Sequence, residues 1–103
     1  MIRVSVLYPN SSGSAFDMDY YVSKHMPMVQ QKLGAALKGV TVDQGLSGGQ
    51  PGTDPAYRAI GVMLLDSVEA FERAFTPHAA EIMADIPRYT NIAPTIQISE
   101  VKM

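Results

Sequence analysis

One histidine and two adjacent tyrosines give this chain its densest candidate chemistry. They lie in the stretch FDMDYYVSKHMPMV, residues 16–29, which also carries a proline where a helix should run on. His25 is the leading catalytic candidate, because imidazole titrates near neutral pH and can take or give a proton. Tyr21, one helical turn earlier, is placed to hydrogen-bond to that ring or to a ligand oxygen. Tyr20 lies about 100° around the helix from Tyr21, so only one of the two borders a pocket. Tyr21 is expected there, with Tyr20 at a surface or subunit interface. A structural reading competes for His25: Pro27 frees a backbone carbonyl that needs a donor, and an imidazole N–H can supply it. Met28 and Met63 are expected to line the pocket, since thioethers fill irregular apolar space.

Other apparent constellations dissolve on inspection. Asp17 reads as a helix N-cap and Asp19 as a charge favoured by the helix dipole, not as a paired-carboxylate site. His78 and Glu81 share a helical face at i, i+3 but supply too few ligands for a metal site, and none is expected. The loop GLSGGQPGTD, residues 45–54, lacks the Gly-Lys-Ser/Thr ending of a phosphate-binding loop. No dinucleotide fingerprint is present, so no cofactor is expected. Asn91 is expected to cap a turn.

The elements that would position these groups follow from periodicity. Residues 2–8 alternate as a strand and end in the loop at Pro9. A helix is expected over residues 17–34, capped by Asp17, with Phe16 and Tyr21 as a hydrophobic staple. Its apolar stripe reads Met18, Val22, Met26, Val29 and Leu33. Pro27 predicts a kink just after His25, or a break with a restart. A second strand runs from Val40 to about Leu46. Residues 57–65, YRAIGVMLL, are apolar on both parities past Arg58, so both faces of that strand require cover. Asp66 and Glu69 form a capping box for a helix with Val68, Phe71 and Phe75 inward. Thr76-Pro77 starts a second short piece that ends near Asp85, and residues 95–101 close the chain as a strand.

The order β-α-β-β-α-β is the ferredoxin-like α+β arrangement in one domain, residues 1–103. Helices cover only one sheet face, so the apolar third strand predicts a homodimer with sheets face to face. Composition narrows the partners further. The 103 residues carry a formal charge of −2 and no cluster of lysine or arginine, which argues against nucleic acid and an anionic membrane surface. Cysteine is absent, excluding disulfides and thiolate chemistry and agreeing with a cytoplasmic location. Pro9 comes too early for a signal-peptide apolar region, and no run reaches transmembrane length.

Four stretches together resemble one family. YPN at 8–10, FDMDYYVSKHMPMV, DSVEAFERAF at 66–75 and EIMADIPRYTNIAPTIQISEV at 81–101 look like the EthD family, named for ethyl tert-butyl ether degradation. The likeness covers essentially the whole chain, and the tyrosine pair spaced from Lys-His-Met-Pro is its most specific part. It implies a subunit of the dimeric α+β-barrel type, encoded beside degradative or oxidative pathways. The resulting expectation is a small hydrophobic, oxygenated organic ligand between helix 17–34 and the sheet, with cofactor-free acid–base or oxidoreductase chemistry at His25. The alternative is a non-catalytic binding or accessory protein, including a partner for an oxygenase system. The residues do not decide whether the chain is an enzyme.

Overall fold

A computed structural model describes all 103 residues. Four strands, β1 Ile2–Pro9, β2 Gly39–Gln44, β3 Tyr57–Leu65 and β4 Thr95–Glu100, form one antiparallel sheet in the order β2-β3-β1-β4. Alternation in β1 and β3 sends Ile2, Val4, Tyr8, Ala59, Met63 and Leu65 to the helix side, where all six are buried. Register keeps them in layers: Val4 opposes Met63, and Tyr8 opposes Ala59. The same registry places Ile96 and Ile98 of β4 beside Val6 and Val4. On the other face Leu7, Ile60, Val62 and Leu64 are only half-buried, because no helix lies over them. The β2–β3 connection ends the second strand at Gln44, two residues short of the expected Leu46.

The first helix occupies residues 18–33 and is irregular at the place where the kink is expected. Met18–Tyr20 is α-helical, Tyr21–His25 is a π turn, and Met26–Leu33 is α-helical again. Asp17 caps the start by accepting from the Tyr20 amide at 3.1 Å. Phe16 and Tyr21 pack edge to face at 5.0 Å, which forms the staple. The wide turn is closed by the Met26 amide donating to the Tyr21 carbonyl. Pro27 then enters in the first turn of the following α segment, which continues directly from the π turn. The chain therefore widens before the proline; it does not break. Because the π turn inserts one residue, Tyr21 takes the inward position and Val22 is 46% exposed, outside the core stripe that a regular helix would give it.

The helix stops at Gly34, whose φ of 59° suits glycine. The second helix, Val68–Phe75, is capped by Ser67, which accepts from the Ala70 amide at 3.1 Å. That is one residue later than the expected Asp66 cap. Val68 sits at the exposed margin, while Phe71 and Phe75 turn inward. A 3-10 turn at Thr76–His78 leads to the third helix, Ala79–Asp85. No helix is long and apolar enough to cross a membrane.

Candidate functional site

Two short segments converge on the helix side of β1. The loop before the first helix is tied to the segment after the third, where Asn91 accepts from the Ala15 amide at 2.9 Å and donates to the Gly13 carbonyl at 3.0 Å. Thr90 donates to the Ala15 carbonyl at 2.6 Å, and the Asp17 amide donates to the Tyr89 carbonyl at 2.7 Å. Asn91 is thus a loop clamp. These bonds bring Tyr8, Phe16, Tyr21, His25 and Tyr89 into one aromatic cluster.

Within it, His25 is buried at 4% exposure and lies nearly parallel to Tyr21, with 5.6 Å between ring centres. Its Nδ1 is 3.0 Å from Oδ2 of Asp85, the last residue of the third helix. Asp85 also accepts from the Tyr20 hydroxyl at 2.9 Å and lies 3.5 Å from Nε of Arg88. Burial pushes the Asp85 carboxyl up, but His25, Tyr20 and the Arg88 charge outweigh it, and the group is held below the usual range. An ionised carboxylate only accepts, so Nδ1 carries the proton and Nε2 presents its lone pair. Burial lowers the His25 pKa more strongly than Asp85 raises it, which keeps the imidazole neutral near pH 7. The carbonyl released at Pro27 is not its partner.

The ring faces a cavity of about 160 Å³ between the helices and the sheet. Tyr21, His25, Met26 and Met63 line it together with Phe71 and Phe75 of the second helix. Met28 packs against the core at half-burial without lining this space, and Met26 stands in the position expected for it. Met83 and Ile96, 44% and 50% exposed, form an apolar mouth. The cavity has the size of an engineered void known to hold one benzene ring, about 150 Å³.

Tyr8 and Tyr21 line the cavity, and Tyr89 packs against both. The Tyr8 and Tyr89 hydroxyls are 2.7 Å apart in a buried hydrogen bond. Burial raises the pKa of Tyr8, Tyr21 and Tyr89 far above the ordinary phenol value, so all three stay neutral donors. The Tyr21 hydroxyl points at Gly61 on β3 and approaches Tyr8 without forming a hydrogen bond of normal geometry. No cluster of three His, Cys, Asp or Glu side chains converges anywhere in the molecule. Glu81, paired with Lys32 at 3.0 Å, holds the first helix to the third.

Asp85 is the group that local sequence reasoning missed, since it stands 60 positions from His25. A signal did exist: it is an acid within the face that carries Ile82 and Ile86, the first buried and the second packed on the core. Tyr8 and Tyr89 were hidden for the same reason of distance, lying 81 positions apart.

A four-stranded antiparallel sheet with helices on one face defines the ferredoxin-like α+β class. Within that class the chain belongs to the EthD family, whose EthD domain matches residues 11–93. It is similar to the crystal structure of an EthD-like protein from Ralstonia eutropha JMP134, with 47% identity, a TM-score of 0.94, and coverage of 99% of this chain and 92% of that one. A dimeric ferredoxin-like protein of unknown function from Thermobifida fusca YX shares the fold at 21% identity and TM-score 0.59, covering 97% and 90%. So does a protein from Shewanella loihica PV-4 whose monooxygenase activity is itself only proposed, at 10% identity and TM-score 0.63, covering 99% and 94%. No curated protein sequence matches the chain.

Proposed function

We propose that this chain binds a small hydrophobic, oxygenated organic compound between the first helix and the sheet, and moves a proton at Nε2 of His25. The observation that carries the proposal is the His25–Asp85 hydrogen bond of 3.0 Å at the edge of an otherwise apolar cavity. Asp85 fixes the tautomer and would stabilise the imidazolium formed when Nε2 takes a proton. Tyr20 and Arg88 hold Asp85 in place, so the base is oriented from behind while its free nitrogen serves the ligand. The likeness to EthD proteins supports a place in a degradative or oxidative pathway. A homodimer completes the proposal: Leu7, Ile60, Val62 and Leu64 leave an apolar strip on the helix-free face, and the Thermobifida relative is described as dimeric.

A non-catalytic carrier is the second reading. The observation favouring it is the cost that burial places on a charged His25. One comparison separates the two: wild type and His25→Ala are incubated with source-cell small-molecule extract, and consumption is followed by mass spectrometry. Loss of turnover in the variant supports proton transfer at His25; equal turnover removes it from the mechanism. Nitrogen NMR of Asp85→Asn gives the accompanying check. The His25 pKa should fall, and the proton should redistribute toward Nε2, because the amide no longer stabilises Nδ1–H alone.

A further inference from the structure

The inner end of the cavity offers a ligand one acceptor and one donor, and no charge. The acceptor is Nε2 of His25, whose Nδ1–H is committed to Asp85 at 3.0 Å. The donor is the Tyr21 hydroxyl, which sits beside His25 in the same stack and approaches the Tyr8 hydroxyl, whose close hydrogen bond is to Tyr89. Tyr8 contributes little more, since its hydroxyl is bonded to that of Tyr89 at 2.7 Å. No lysine, arginine, aspartate or glutamate lines the space.

The nearest full charge behind this end is negative. Asp85 stands directly beyond His25, and its counter-charge, Arg88, lies outside the cavity with its side chain 72% exposed. A carboxylate ligand would therefore enter an apolar space that holds no cation and would face Asp85 across one imidazole ring. A plain hydrocarbon would leave both Nε2 and the Tyr21 hydroxyl unpaired. An ether or ketone only accepts, so it would satisfy Tyr21 and leave Nε2 bare. A neutral hydroxyl meets both requirements with one atom, donating to Nε2 and accepting from Tyr21.

Resting on the binding-site reading above, we propose that the cavity recognises a neutral hydroxyl group on an apolar body about one ring in size, a phenol or alicyclic alcohol, and discriminates against a carboxylate on the same body. The volume of about 160 Å³ sets the one-ring limit, and Phe71, Phe75 and Met63 supply the apolar walls.

The test is a titration of the full-length wild-type chain near neutral pH with p-cresol, toluene and p-toluate, followed by calorimetry and by His25 chemical shifts. The expected order is p-cresol tighter than toluene by roughly tenfold, with p-toluate weakest. Toluene binding as tightly as p-cresol overturns the inference and leaves the pocket reading standing; so does p-toluate matching p-cresol. Failure of all three to bind overturns the pocket reading and the inference with it. Tyr21→Phe is expected to reduce the cresol-to-toluene ratio without changing toluene affinity, and an unchanged ratio in the folded variant counts against the donor assignment. Should that variant fail to fold, the wild-type ligand order decides alone.

Discussion

Gly61→Ala isolates the packing that seats Tyr21 in the cavity. A methyl group built on Gly61 would overlap the Tyr21 hydroxyl, while the ring carbon bearing it stays at a tolerable 3.4 Å. The ring cannot swing aside. It is 1% exposed and is flanked by Phe16 at 5.0 Å, Tyr89 at 5.0 Å and His25 at 5.6 Å. Overpacking of this kind costs about 1–3 kcal/mol. Replacing glycine in a strand interior recovers roughly 0.5–1 kcal/mol, so Gly61→Ala should destabilise by up to about 2.5 kcal/mol. Tyr21→Phe alone removes a hydroxyl with no well-formed hydrogen bond and should stay within about 1 kcal/mol of wild type. In that background the added methyl meets no oxygen, and Gly61→Ala becomes neutral or stabilising. The cycle of four proteins should therefore show a favourable coupling of about 1–3 kcal/mol. Urea unfolding at one fixed protein concentration, with equal slopes across the four, measures it. Additivity, meaning the same cost for Gly61→Ala with Tyr or Phe at position 21, would refute the steric account.

Acidification should weaken the fold in two steps. Folding lowers the His25 pKa from its ordinary 6.5, so the unfolded chain binds that proton more readily; stability is complete above 6.5 and is lost as pH falls from there through the folded value. Asp85, held below its ordinary 3.8, adds stability above that value which further acidification removes. A wild-type urea midpoint that stays constant between about pH 7 and about pH 5 would contradict the first step. On the helix-free face, Val62 pairs with Ser5 and Thr41 near the middle of the sheet. Val62→Asp should convert a dimer to a folded monomer in size-exclusion chromatography with light scattering, and a wild-type monomer at micromolar concentration would refute the dimer proposal.

What the sequence revealed was local in origin. The strands were legible because a two-residue alternation is written into ten or fewer consecutive positions, and the doubly apolar β3 showed as Ala59, Gly61, Met63 and Leu65 inward with Ile60, Val62 and Leu64 half-buried behind. Asp17 and Phe16 announced the helix start because cap and staple span only a few residues. Asp85 was not legible as a partner of His25, since nothing local in a chain says which acid will meet a histidine 60 positions away. The more instructive failure lies inside the helix. A regular 3.6-residue repeat counted back from Val29 puts Val22 against the sheet and leaves Tyr21 on the flank. One extra residue in the π turn rotates every upstream position by about 100°, so Tyr21 enters the slot and Val22 leaves it. That rotation is what lays Tyr21 over Gly61 and stacks it on His25. The departure from regular helix geometry therefore brings together Tyr21 and His25, the proposed donor and acceptor, and Pro27 is the one residue whose type marked where that departure would fall.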